Sequence, residues 1–387
     1  MNTQVSHSEA VPNFRRGLRL LRGIALLLLL LVAVGCQPGP ANPAAASEAE
    51  SQPSPSATPP PTVTPVPPAE TPEPPPTPTE EAVPEAVTIP YMDPDTDKDI
   101  AFLSQWLRIH RPATALAPYP TVVLLPGGNY GPDNYEDFVE QLVDRGYAVV
   151  AVKYRRADSR EPYRSLSGED FDCAFAWLVD NTAAYDLDPE RIFLFGHACG
   201  GYEAAGMPLE DKSHWAEEMQ ECPHPIPDPS AIKGVITYDA HYAILEGVLS
   251  SHASAYASAW GIPGADMLTS VETLKAVPPH EWLESTLLDD NTRKLAQMLP
   301  LYWLHSAGGS DAGVPPYLLI YGNVLSPMGH DFAVEAETMA ENMRSADLDV
   351  TLMLLDSAKY SDLVDAQTDV PARVAETVDA FIAEQSQ

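Results

Sequence analysis

Basic residues, cysteines and long apolar runs are all scarce in this chain. Its 22 Lys and Arg face 55 Asp and Glu, a formal net charge of −33. A surface so acidic repels phosphate backbones and anionic lipid, which excludes nucleic acid and charge-driven membrane binding. The same charge keeps an exported protein soluble. Cysteines number four, Cys36, Cys173, Cys199 and Cys222. With Cys36 set aside for the reason below, three remain, enough for one bridge and too few for a disulfide framework. No CxxC pair, HExxH helix or tight cluster occurs among the ten histidines, so neither a metal site nor a cofactor is expected. The longest apolar run, Ile24 to Val34, falls short of the roughly 20 residues that cross a bilayer.

What is present divides the chain in three. Arg15, Arg16, Arg19 and Arg22 precede the apolar run, which ends at Ala33-Val34-Gly35-Cys36. A basic start, a short apolar stretch and small residues before a cut make a targeting signal. A Cys at that point resembles a bacterial lipoprotein signal, which implies removal of residues 1–35 and lipidation of Cys36. The expected location is then extracytoplasmic, with the protein lipid-anchored to a bacterial membrane at the cell surface or outer membrane. Residues 36–90 read as a disordered linker, rich in Pro, Ala, Thr and Glu and, past Cys36, without a Lys, Arg or aromatic. Such a segment has nothing to bury against its ordering entropy. At about 3.1 Å per residue in polyproline II it would reach on the order of 150 Å.

Residues 91–387 are the expected folded domain. Short apolar runs alternate with amphipathic segments, the mark of a mainly parallel sheet covered by helices. Strands are expected at 121–125, 147–154, 191–195, 232–238, 317–321 and 350–355. Helices are expected at 135–145, 171–181 and 370–384, the last with Val374, Val378, Phe381 and Ile382 on one face. Residues 239–312 lack strand pattern and read as a small helical cap, in or near which Trp260, Trp282 and Trp303 could line a pocket.

One stretch is specific: Phe195-Gly196-His197-Ala198-Cys199-Gly200-Gly201 after an apolar strand. It resembles the G-H-S-A-G-G nucleophile elbow of α/β-hydrolase esterases and lipases, particularly the acetyl- and feruloyl-esterase-like branch. Leu125-Pro126-Gly127-Gly128-Asn129-Tyr130 stands where that branch has its H-G-G-x-W oxyanion loop. Asp188-Pro189-Glu190-Arg191-Ile192 matches the approach to the elbow, and Pro315 to Gly322 the strand before the acid. The resemblance implies an α/β-hydrolase fold, with Gly127, Gly128, Gly196, His197, Cys199 and Gly200 in the elbow and oxyanion region.

The same resemblance places alanine at the nucleophile position. Ala198 has a methyl where the family has a hydroxyl, and a methyl attacks no carbonyl. The family's acid position falls on Leu325 and its histidine position on Tyr360. No Asp or Glu lies between Asp311 and Asp331, and no His follows His330. Cys199, one residue past the turn, is expected to be a small buried residue and not a substitute nucleophile. Asp239, His241 and His330 are fallback catalytic candidates, the two histidines more plainly loop or cap residues. The expectation is a non-catalytic domain that binds a partner or a small ester, carboxylate or glycan. The alternative is an active carboxylic-ester hydrolase, on acyl or carbohydrate esters, with relocated residues.

Overall fold

The computed structural model describes residues 86–92 and 105–386, apart from 114, 129, 156–162, 211–218, 241, 243–263, 278, 283, 298, 305–312 and 325–331. The signal, most of the stalk, Cys36, His241, Trp260, Leu325 and His330 therefore lie outside the described residues.

Eight strands form one sheet in the order β1-β2-β4-β3-β5-β6-β7-β8. They are β1 (Ala86–Pro90), β2 (Trp106–His110), β3 (Tyr119–Leu125), β4 (Ala148–Lys153), β5 (Leu187–His197), β6 (Ile232–Tyr238), β7 (Tyr317–Gly322) and β8 (Val350–Leu355). From β4 to β8 every pairing is parallel, while β1 and β2 add antiparallel at one edge. This is an α/β-hydrolase fold. Ala86–Pro90, read from sequence as the end of the linker, is a correction: Val87, Thr88 and Ile89 pair with β2, so the sheet starts before residue 91.

The sheet is buried on both faces because its inner strands place apolar side chains on both sides. In β3, Val123 and Leu125 face one core, and Val122 and Leu124 the other. Each such side chain fully buried adds about 1.5–3 kcal/mol. The second face is covered by α1 (Glu136–Val143) through Phe138, Val139 and Leu142, and by the C-terminal helix Val370–Gln385 through Val374, Val378 and Ile382. The first face carries α2 (Tyr163–Asn181), α3 (Cys199–Gly206) and, in the stretch read as a cap, α4 (Gly264–Ala276), α5 (Asp290–Gln297) and α6 (Pro300–Leu304). It also carries α7 (Phe332–Ser345), which the sequence pattern did not reveal; the C-terminal helix is α8.

Trp282 and Trp303 are core residues and not pocket walls. Trp282 is 1 % exposed and donates its indole N–H to the Val277 carbonyl at 2.7 Å. Trp303 packs edge-on against Tyr302 at 5.1 Å between ring centres. Cys173 and Cys222 form a disulfide, and Cys199 belongs to no disulfide among the described residues.

Candidate functional site: an alanine on the elbow

The parallel strands deliver their C-terminal ends to one edge, where β5 stops at His197 and α3 begins at Cys199. The single residue between them, Ala198, has φ 53° and ψ −114°. A side-chain-bearing residue there stores about 1–3 kcal/mol of strain and stays only where its surroundings force it. Two glycines do the forcing. A Cβ on Gly196 would lie 2.3 Å from the Gly200 carbonyl oxygen, and one on Gly200 would lie 2.1 Å from the Leu125 oxygen. Backbone therefore packs directly on backbone between β3, β5 and α3. The Ala198 N–H donates to the Tyr238 carbonyl at 3.1 Å, and its own carbonyl accepts from Tyr202 N–H at 3.0 Å.

Ala198 is 0 % exposed. A Cβ placed on Gly127 would sit 3.3 Å from the Ala198 methyl, 3.2 Å from Tyr130 Cδ2 and 3.4 Å from His197 Nδ1. The glycine loop after β3 thus lies directly against the turn, as the resemblance implies. Its Gly127 N–H donates to the Tyr135 hydroxyl at 2.9 Å, and that oxygen is 2.7 Å from His197 Nδ1. The phenol donates to Nδ1 when His197 carries its ring hydrogen on Nε2, and accepts from Nδ1 when the hydrogen is there. Burial drives the Tyr135 phenol well above its usual range, so it stays neutral.

Aromatic rings surround His197, itself 0 % exposed. Tyr130 stacks on it at 5.5 Å and Tyr360 lies tilted at 4.7 Å. Phe332 stacks in turn on Tyr360 at 5.5 Å. Tyr360, which the resemblance sets at the family's histidine position, lies in the cluster beside the elbow. Asp239 follows β6 with φ 44°, is 1 % exposed, and accepts the Gly322 N–H at 2.8 Å. Its carboxylate ties β6 to β7 at the same edge. Cys199 is partly exposed, contrary to the buried role expected of it, because it begins a helix at the strand ends and does not sit under one. Tyr135 and Phe332 escaped the sequence reading. Tyr130 was visible there only as the residue standing at the Trp of the H-G-G-x-W loop.

Among the described residues no group of three or more His, Cys, Asp or Glu is placed to hold a metal ion. A shallow cleft of about 410 Å³ lies where β3 and β5 begin, lined by Ala117, Pro118, Asp186 and Leu187, at the end of the strands away from Ala198.

The sheet order and elbow define the class, an α/β-hydrolase with esterase-like architecture. The BD-FAE family profile matches residues 107–302, just over half of the chain, and the chain belongs to that family. Among curated proteins, none matches. Of solved structures, an inhibited esterase B from Lactobacillus rhamnosis is 17% identical, with a TM-score of 0.54 over 79% of this chain and 90% of that one. A propionate-bound thermophilic esterase from Thermogutta terrifontis is 18% identical, with a TM-score of 0.51 over 78% of this chain and 94% of that one. A bifunctional GH43-CE from Bacteroides eggerthii is 16% identical, with a TM-score of 0.53 over 78% of this chain and 38% of that one. At these identities the likeness is one of fold.

Proposed function

We propose that the chain is an extracytoplasmic, lipid-anchored pseudo-hydrolase that binds a partner or a small ester, carboxylate or glycan without cleaving it. The observation that carries this reading is Ala198, buried on the strained elbow with a methyl against Gly127. Removing the serine of a triad costs about 10⁶-fold in rate, roughly 8 kcal/mol of transition-state stabilisation. The commitment of Gly127 N–H to Tyr135 also favours a site that no longer stabilises an oxyanion. The anchor rests on Cys36 after its signal, and the Cys173–Cys222 bridge supports an oxidising compartment.

A working hydrolase with moved chemistry is the second reading. It draws on the partly exposed Cys199 thiol beside the turn and on Asp239 at the same edge. Hydrolysis of short-chain aryl esters by the full chain separates the two. No rate above a heat-killed control is expected. Turnover well above that control, abolished by Cys199→Ala or Asp239→Asn, would establish the second reading. For the anchor, Cys36→Ala should abolish fatty-acid labelling in the bacterial host; undiminished labelling would refute it.

A further inference from the structure

The two edges of the sheet are built differently. β1 closes on Pro90, a residue without an N–H to offer a neighbouring strand. β8, Val-Thr-Leu-Met-Leu-Leu, has no Pro, no charge and no register break against β7. Among the described residues no strand pairs with its outer edge, and Thr351 and Leu354 are exposed, Leu354 by 47 %. Val350 and Leu352 pack on the face that carries α7, whereas Met353 and Leu355 pack on the other. Leu354 follows the alternation onto the α7 face, where Val334 in the first turn of α7 is also 45 % exposed. An uncovered apolar strand of this kind is a template for one more strand. It lies seven strand spacings, roughly 33 Å, from the edge where the chain enters the sheet.

Charge selects the occupant. Exposed Asp347 and Asp349 precede β8, and exposed Asp356 follows it. A second copy pairing antiparallel about a twofold axis, with the two β8 strands in full overlap, would set Val350 opposite Leu355, and so Asp349 opposite Asp356. Like charges directly opposite destabilise a strand pair. A strand with basic ends meets opposite charge at both ends. Lys359 lies beyond Asp356 and Arg373 donates to the Asp356 carbonyl at 3.1 Å, but Asp369, paired with Arg373, and Asp362 beside Lys359 keep this end acidic.

We infer that the β8 edge docks an extended, apolar segment of another protein flanked by Lys or Arg, added to the sheet as a ninth strand. The inference is independent of whether the elbow is catalytic, since no residue of the elbow takes part.

The probe is a short peptide of alternating valine and threonine with two lysines at each end, titrated against the full chain. It should bind at least tenfold tighter than the same peptide ended in glutamates, weaken as salt rises, and protect the amides of 350–355 from hydrogen exchange. N-methylation of alternate peptide residues should abolish binding, because the backbone pairing is lost. Asp347→Lys with Asp349→Lys, both on the surface, should reduce the preference for lysine ends, Asp356 remaining at the other end. Equal binding of the two peptides, no binding, or binding without protection at 350–355 would overturn the proposal. So would concentration-dependent dimerisation that protects the same amides, which would identify a second copy as the occupant.

Discussion

At the elbow, backbone packs on backbone through Gly196 and Gly200, with the Gly127, Tyr135 and His197 hydrogen bonds beside it. The corner where β1, β4 and α2 meet is held by the opposite means. There Asp170, 1 % exposed, accepts from Arg155 N–H at 2.6 Å, Arg155 Nε at 3.0 Å and Gln105 Nε2 at 2.7 Å. Tyr91 donates its hydroxyl to the Lys153 carbonyl at 3.0 Å and accepts at its own carbonyl from His224 Nε2 at 2.7 Å. The Cys173–Cys222 bridge fastens the His224 loop to α2. The comparison explains how the elbow can keep its shape with alanine at its tip. Its conformation depends on close approach, which the missing hydroxyl does not touch, while the corner depends on each polar partner being present.

The largest effect is therefore expected from a single methyl at the elbow. Gly200→Ala drives a Cβ to 2.1 Å from the Leu125 oxygen and should cost about 4 kcal/mol or more in urea unfolding. A loss under about 1 kcal/mol would mean that the turn yields easily. At the corner, Asp170→Ala strands the Arg155 and Gln105 donors and should cost about 3 kcal/mol. Cys173→Ala with Cys222→Ala opens a bridge across 49 residues. It should cost about 2 kcal/mol, the low end for a loop of that length, because the Asp170 network still holds the corner. A larger loss than for Asp170→Ala would make the bridge, and not the carboxylate, the main tie of the corner.

These two regions also differ in how far they could be read from sequence. The elbow was legible because its determinants are local: an apolar strand, then glycines spaced within six residues. Strands β3 to β8 were legible as short, mostly apolar runs. The corner was not, since Gln105 and Asp170, or Cys173 and Cys222, meet only once the sheet has formed. Three cysteines left the pairing open. β1 was lost against the prolines before it, and Trp106–His110 alternates too briefly to stand out. α7 hid because its inner face is built of Ala, Met and the buried Glu335. The rings around His197 come from four separate segments, so no spacing announces them.

The smallest effect is expected at Tyr238, which gives its hydroxyl to the Lys359 carbonyl at 2.9 Å beside the elbow. Tyr238→Phe should cost about 1 kcal/mol at neutral pH. Burial raises this phenol well above 10, as it does for Tyr135. A raised folded-state value means stability that is complete below about pH 10, the unfolded value, and lost as pH climbs beyond it. Tyrosinate absorbance from these rings should therefore appear together with unfolding, and Tyr238→Phe should make the alkaline decline shallower. Ionisation near pH 10 in a still-folded protein would contradict the burial of these phenols.

The central claim, that the elbow presents no nucleophile, is tested most directly by a phosphonate ester that reacts with activated serine or cysteine by displacement of its leaving group. Intact-mass measurement of the full chain after prolonged exposure should show no adduct. Ala198→Ser should gain little labelling, because a hydroxyl without a base to take its proton remains a poor nucleophile. A stoichiometric adduct on the unaltered protein, mapped to Cys199 or to any residue above Gly127 and Gly128, would contradict the account.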